Sequence, residues 1–135
     1  MNEAVDEVDT VDTVDTVDTV DTVEDCLFCE IVAGDVHADI VLDEPDVLAF
    51  RDITPQAPTH VLVIPKAHHR DIAALTAADP AGAATLMAAA ARVAAAEELV
   101  DGFRVVLNTG SDGGQSVFHV HAHVLGGRPL AWPPG

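Results

Sequence analysis

The pattern of apolar and polar positions changes at about residue 26. Before that point the triplet Val-Asp-Thr repeats from Val8 to Val23. A period of three matches neither the strand period of two nor the helical period of 3.6, so no apolar face forms, and the repeated carboxylates repel one another. We therefore predict that residues 1–25 are a disordered acidic tail and that residues 26–135 form one domain.

Within residues 26–135 the pattern predicts two helices. A short helix is expected over Cys26–Ala33, ending at Gly34. A long, alanine-rich helix is expected from the N-cap Asp79 through Val100 to Gly102.

Five further segments are apolar or β-branched and bounded by turn residues, which is typical of strands. The order of three strands, a long helix and two strands predicts an α+β fold with an antiparallel sheet of about five strands. Short strands with few aromatic residues indicate a modest core, which a dimer would enlarge. The predicted strands are Ile40–Leu42, Val47–Asp52, His60–Pro65, Phe103–Asn108 and Val117–Leu125.

Charge and composition exclude several function classes. The tail holds 10 of the 23 acidic residues, and the remaining 13 face only 6 basic residues, a net charge of −7. Such a surface repels nucleic acid and anionic membranes, so neither is an expected partner. No apolar stretch is typical of a signal peptide or membrane span, and two cysteines make no disulfide framework, so a cytoplasmic location is expected. We also hypothesise a halophilic cytoplasm, where ionic screening tolerates such charge.

Three histidines occupy alternate positions near the end of the chain. In a strand, alternate side chains share a face, which places His119, His121 and His123 together. Imidazole is near-neutral at cellular pH, is nucleophilic, and can give or take a proton. The pattern favours a functional site over a metal-binding or half-exposed strand with accidental alternation.

A glycine-rich loop, Asn108–Ser116, leads directly into these histidines. Glycines let backbone N–H groups approach and hold an anion, and the side chains of Gln115 and Ser116 add donors. Loop and histidines together indicate a phosphoryl group held over a histidine nucleophile.

The pair Cys26-x-x-Cys29 is open to three interpretations. It can be a redox pair, two core thiols, or half of a zinc site that needs two more ligands. We favour zinc over redox chemistry, because no thioredoxin-like unit surrounds the pair.

The stretch Gly113–Gly127, in which three histidines alternate with apolar residues, resembles the histidine triad (HIT) family, and most closely its Hint branch of nucleotide-binding proteins. Three further stretches agree: Phe50–His60, Val63–Lys66 and Trp132–Gly135. The resemblance runs from about Asp25 to the last residue. It implies a HIT-like fold, a homodimer and a purine nucleotide substrate.

The resemblance also implies roles for individual residues. His121 would attack the α-phosphorus of a nucleotide and form a covalent nucleotidyl-imidazole, which water then hydrolyses. His123 would contact the phosphate and protonate the leaving group, while His60 and His119 would support the site. Asp52 would bind the ribose hydroxyls. The phosphate would be held by Asn108, Gly114, Gln115 and Ser116, and the base by Leu27, Phe28, Ile31, Phe50 and Ile53.

By the same resemblance, Cys26, Cys29, His68 and His119 would bind a structural zinc ion that takes no part in the chemistry. Arg51, beside Asp52, is expected to influence nucleotide preference. His37 and His69 are predicted to be surface residues.

These expectations favour a purine nucleoside phosphoramidase that acts on adenylate with an amine leaving group. The alternatives are a dinucleoside polyphosphate hydrolase on the same scaffold and a non-catalytic nucleotide-binding scaffold protein. A third, weaker alternative makes the tail an acidic arm that binds a partner.

Overall fold

The structure, a computed structural model, describes residues 25–135. The predicted tail lies outside the described residues, apart from Asp25. The elements, in chain order, are α1 (Leu27–Ala33), β1 (Ile40–Asp43), β2 (Val47–Arg51), β3 (Thr59–Pro65), α2 (Ile72–Ala78), α3 (Pro80–Ala96), β4 (Phe103–Val106) and β5 (Ala122–Gly126).

The strands form one antiparallel sheet in the order β1-β2-β3-β5-β4. The predicted α+β class and five-stranded antiparallel sheet are therefore confirmed. The central strand β3 is almost wholly buried, as expected of its run of apolar residues. It pairs Leu62 with His123 of β5, so the last histidine of the alternating set lies near the middle of the sheet.

The two faces of the sheet pack against different helices. Helix α3 covers the face that includes Ala49, Val63, Ala122 and Val124, and these side chains form the larger apolar cluster. The opposite face packs against α1 in a smaller cluster, whose members include Cys26, Phe28, Leu48, Phe50, Leu62 and Ile64. The apolar residues that alternate with the histidines thus face α3, whereas the histidines share the face that packs against α1.

The helices differ from the prediction in two ways. Helix α2 was not predicted; it is seven residues long and begins at the N-cap Asp71, whose carboxylate accepts from the N–H of Ala74. Helix α3 begins at the predicted N-cap Asp79 but ends at Ala96. It stops there because Glu98 takes a left-handed φ of 60°, which turns the chain towards β4. None of the described helices is long and apolar enough to cross a membrane.

The histidine strand is shorter than predicted. Val117–Leu125 was expected to be extended throughout, but β5 begins only at Ala122. Pro65, the last residue of β3, has no N–H with which to continue the ladder. The segment just before β5 bonds instead to the loop after β3: the N–H of Val120 donates to the carbonyl of His69 at 2.8 Å.

Candidate active site and metal centre

His121 is buried with one ring nitrogen occupied and the other available. Its Nδ1–H donates to the carbonyl oxygen of His119 at 2.8 Å, so the lone pair of a neutral ring lies on Nε2. Burial is the largest effect on the ring and lowers the pKa of His121 below its ordinary value. The edge of the Phe28 ring packs against it, with ring centres 5.1 Å apart. His121 therefore presents a neutral, fixed nucleophile.

A chain of hydrogen bonds fixes the tautomers of the two neighbouring histidines. The backbone N–H of Gln56 donates to Nδ1 of His60 at 3.0 Å, so the proton of a neutral His60 is on Nε2. That N–H points to Nδ1 of His123 at 2.9 Å, and a carboxylate oxygen of Asp52 lies 3.4 Å from the same nitrogen. His123 must then carry its own proton on Nε2.

Nε2 of His123 is buried and has no hydrogen-bond partner within the described residues. An unsatisfied buried donor costs about 1–3 kcal/mol, a cost that a ligand oxygen or nitrogen would relieve. The ring centre of His123 is 4.9 Å from that of His121. A proton donor thus stands beside the nucleophile.

Burial also decides the charge of His123. Desolvation is the largest effect and, with the neighbouring His121 and His60, lowers the pKa of His123 to about 4. Desolvation likewise lowers the pKa of His60, although the Asp52 carboxylate opposes it. The imidazoles are therefore neutral at pH 7, which the tautomer assignment requires.

A cavity of about 310 Å³ opens onto His121 and His123. One end is apolar, and the rings of Phe28 and Phe50 meet there edge to face with centres 5.3 Å apart. Ile53 is 97% exposed at the rim, an apolar surface that a bound planar base would cover. All five residues of the predicted base pocket line this cavity, as does Asp52.

The predicted phosphate loop is only partly at the cavity. Ser116 lines it, but Asn108, Gly114 and Gln115 do not. The buried amide of Gln115 accepts from the N–H of Gly110 and donates to the carbonyls of Arg70 and Val117, at 2.8–3.1 Å. Its side chain therefore holds the loop in shape and has no donor left for a phosphate.

The side chain of Arg51 is engaged in an ion pair. Its guanidinium makes two hydrogen bonds to Glu97, at 2.8 and 3.0 Å, on the face of the sheet that packs against α3. Arg51 also lines the cavity, but its guanidinium is bound to Glu97, so its influence on nucleotide preference stays a prediction.

The two predicted surface histidines are placed differently from each other. His37 is exposed, as predicted, but lies in the wall of the cavity. His69 is half-buried and lines a separate groove of about 550 Å³ between the loop after β3 and the start of α3.

The four predicted metal ligands converge. Nδ1 of His119 lies 3.4 Å from Sγ of Cys26 and 3.5 Å from Sγ of Cys29, and Nδ1 of His68 lies 3.4 Å from Sγ of Cys29. Tetrahedral zinc, with bonds of about 2.3 Å to sulfur and 2.0–2.1 Å to nitrogen, separates such ligands by about 3.5 Å. The Nε2–H of His119 donates to the carbonyl of Pro65 at 2.8 Å, which directs its Nδ1 lone pair towards the cluster.

The chemistry of the donor set also fits a cation. Burial and the adjacent Cys26 raise the pKa of Cys29 to about 12 in the absence of a metal. A divalent cation reverses this preference, because a coordinated thiol is deprotonated outright. Two thiolates and two imidazoles form the closed set typical of structural zinc.

Comparison with known proteins agrees with this geometry. Residues 33–130 match the HIT domain family. An uncharacterized HIT-like protein of Synechococcus elongatus is 48% identical over 112 residues, covering 83% of this chain and 98% of its own. A 14 kDa zinc-binding protein of Zea mays is 45% identical over 119 residues, covering 81% and 87%.

Among solved structures, a HIT family hydrolase from Legionella pneumophila has a TM-score of 0.79 and 48% identity, covering 82% of this chain and 99% of that one. The family match, the sequence identities and the shared architecture lead to one conclusion: this chain belongs to the HIT domain family.

Proposed function

We propose that this protein is a nucleotide hydrolase that works through a covalent nucleotidyl-His121, and that it acts as a purine nucleoside phosphoramidase. The observation that carries the proposal is the pairing of two ring nitrogens at one end of an apolar cavity. Nε2 of His121 has a free lone pair, and Nε2 of His123 has a buried proton without a partner among the described residues.

In the first step Nε2 of His121 attacks the α-phosphorus, and the P–N bond to the amine breaks as the N–P bond to imidazole forms. The departing amine takes the Nε2 proton of His123. This leaves His121 as a nucleotidyl-imidazolium and His123 as an imidazolate, whose negative charge is offset by that adjacent imidazolium and by the N–H of His60. In the second step water attacks phosphorus, Nε2 of His123 accepts the proton of the water, and the bond to His121 breaks. Nucleoside monophosphate is released and both rings return to their starting state.

The cavity also bears on the leaving group. Arg51 is the only Lys or Arg among its lining residues, and its guanidinium is bound to Glu97. A polyphosphate leaving group carries several negative charges that such a cavity leaves unpaired, whereas an amine needs only the proton of His123. This favours the phosphoramidase over a dinucleoside polyphosphate hydrolase.

Turnover of an adenosine phosphoramidate and of a diadenosine polyphosphate by the same preparation tests the choice. We expect kcat/KM to be larger for the phosphoramidate. A larger value for the polyphosphate would select the alternative hydrolase, and no turnover of either compound, with nucleotide binding intact, would select the non-catalytic scaffold.

The pH dependence follows from the lowered histidine pKa values. The pKa of His123 lies at about 4, against an ordinary value of 6.5, so the neutral ring persists when the pH falls below 6.5. The pKa values of His121 and His60 are lowered as well, so we expect kcat/KM for the phosphoramidate to have no acid limb near pH 6.5 and to decline only at lower pH, after correction for titration of the substrate. A half-maximal point at pH 6.5 would contradict the neutral hydrogen-bonded chain.

We further propose that the Cys2His2 cluster binds one zinc ion with a structural role. The four ligands come from α1, from the loop after β3 and from the segment before β5. When bound, the ion would act as a cross-link between these parts of the domain, and its closed ligand set would leave no position for substrate.

A homodimer is also proposed. The outer edge of β4 has no strand partner among the described residues. Beside it, Val100 is 90% exposed and Phe103 is 46% exposed. An open strand edge next to exposed apolar side chains favours association with a second chain. Light scattering coupled to gel filtration should give twice the chain mass of 14.1 kDa.

Deletion of residues 1–24 should leave the rate of hydrolysis within about twofold of that of the full chain. All proposed site residues lie at or beyond Cys26, and dissolved salt screens the site from the charges of the deleted segment. Steady-state kinetics on both chains provide the measurement. A loss greater than tenfold, with the metal content and unfolding temperature unchanged, would assign the tail a part in catalysis.

A further inference from the structure

His37 lies at a place in the cavity that its sequence position does not indicate. It follows the turn that ends α1 and lines the same cavity as Phe28, Phe50 and Ile53. Its neighbours in the chain, Val36 and Ala38, line the cavity too and are half-buried, whereas His37 itself is exposed. Its imidazole is therefore accessible at the wall of an otherwise apolar region.

The short segment that carries His37 is held at both ends. The N–H of Val36 donates to the carbonyl of Glu30, within α1, at 3.3 Å. On the other side, the carbonyl of Asp39 accepts from the N–H of Arg51 at 3.0 Å. These two hydrogen bonds lie only three residues apart and restrict the backbone of His37 relative to both α1 and β2. Little conformational entropy therefore remains to be lost when a ligand binds.

The remaining polar residues of the cavity are committed elsewhere. His121 and His123 lie at the reacting end. One carboxylate oxygen of Asp52 accepts from the N–H of Thr54 at 2.8 Å, and the other lies 3.4 Å from His60. The guanidinium of Arg51 is bound to Glu97 on the other face of the sheet.

Only two polar lining residues then remain, Ser116, which adjoins the histidine segment, and His37, beside the apolar end. A site for a heteroaromatic ring needs apolar walls and a few placed polar groups that discriminate between rings.

We propose that His37 is a specificity-determining residue that hydrogen-bonds the edge of the nucleotide base and favours purines over pyrimidines. The inference rests on the proposed nucleotide site. A neutral imidazole offers one donor and one acceptor, which the ring nitrogens and exocyclic groups of a purine can meet. The two-ring system of a purine is larger than a single pyrimidine ring, so it covers more of the cavity wall to which His37 belongs.

The test is calorimetric titration of the full-length, metal-loaded protein with AMP and with CMP. The unmodified chain should bind AMP more tightly than CMP. His37→Ala should lower the ratio of the two affinities about threefold to tenfold, the effect of losing one hydrogen bond. Asp35→Ala is the matched control, because it lies in the same loop, is exposed and does not line the cavity; it should leave the ratio unchanged.

A second variant separates hydrogen bonding from ring stacking. His37→Phe keeps a flat ring and removes both nitrogens, so it should lose the purine preference as His37→Ala does. Retention of the preference in His37→Ala overturns the proposal, and retention in His37→Phe overturns its hydrogen bond. Failure of the unmodified chain to bind either nucleotide overturns the proposed function itself, a result distinct from equal binding of AMP and CMP, which overturns only the role of His37.

Discussion

Replacing His121 with alanine should lower kcat for a nucleoside phosphoramidate by about 10⁴- to 10⁶-fold, the range seen when a covalent nucleophile is removed. The reason is specific to one atom. Nε2 of His121 is the ring nitrogen that the hydrogen bond to His119 leaves with a lone pair at the reacting end of the cavity. His123 cannot replace it, because its Nδ1 receives the proton of His60.

The measurement is steady-state turnover, accompanied by mass spectrometry of protein quenched with denaturant at alkaline pH, where the P–N bond to histidine survives, during turnover with an adenylate donor. The unmodified chain should gain the mass of one adenylyl group at His121, and the variant should gain none. His69→Ala is the matched control, since His69 lies outside the cavity, and it should retain both turnover and labelling. A variant at position 121 that keeps turnover within tenfold would refute the covalent mechanism.

Because alanine leaves the carbonyl of His119 without its donor, a drop in stability must be distinguished from a loss of chemistry. His121→Asn keeps a polar side chain close to that carbonyl and removes the imidazole. It should bind AMP within about threefold of the unmodified affinity and still fail to turn over. Loss of AMP binding together with turnover would instead indicate a collapsed cavity.

The sequence predicted most of the fold because its local signals agree with the packing. Gly34 ends α1 with a left-handed φ of 85°, and Asp79 with Pro80 begins α3, both as their residue types indicate. The alternation of histidine with apolar residues predicted that the three histidines share one face. These signals lie within a few residues, so they can be recognised without knowledge of the tertiary structure.

The structure differs from the prediction where contacts between residues distant in sequence determine the local conformation. The start of the histidine strand depends on Pro65, which is more than fifty positions away in sequence and cannot extend the ladder. The glycine-rich loop predicts that Gln115 donates to a phosphate. In the fold its side-chain amide instead hydrogen-bonds three backbone groups that only the tertiary structure brings together. His37 enters the cavity wall because two backbone hydrogen bonds hold its segment, one to Glu30 of α1 and one to Arg51 of β2. No spacing rule within the sequence carries that information.

Removing the zinc ion proposed at the Cys2His2 cluster should have the second large effect, because it should change both the stability of the domain and its affinity for nucleotide. Cys26 and Cys29 bracket Leu27 and Phe28, which form part of the cavity wall, so the ligands that would fix the metal also fix one side of the base pocket. On the other side His119 contributes its ring to the cluster and its carbonyl to His121. Loss of the ion should therefore destabilise the domain and weaken nucleotide binding together.

His68→Ala and His69→Ala form a matched pair for this test, because they are adjacent histidines of which only His68 belongs to the cluster. The bound zinc should fall from one equivalent per chain to a small fraction in His68→Ala and stay at one in His69→Ala. Structural zinc contributes on the order of 10 kcal/mol of binding free energy, so the loss should lower the unfolding temperature of His68→Ala by at least about 10 °C, measured by calorimetry.

The coupling between zinc binding and AMP binding must act in both directions, and the same proteins can test this. If zinc tightens AMP binding by a given factor, AMP must tighten zinc binding by that same factor. Titrating the unmodified chain with a zinc chelator, with and without saturating AMP, should therefore show that more chelator is needed to remove the zinc at equilibrium in the presence of the nucleotide. Equal zinc affinity in both conditions, with AMP demonstrably bound, would mean that the cluster supports the fold without shaping the cavity. The position of Leu27, Phe28 and His119 between the cluster and the cavity would then have no functional consequence.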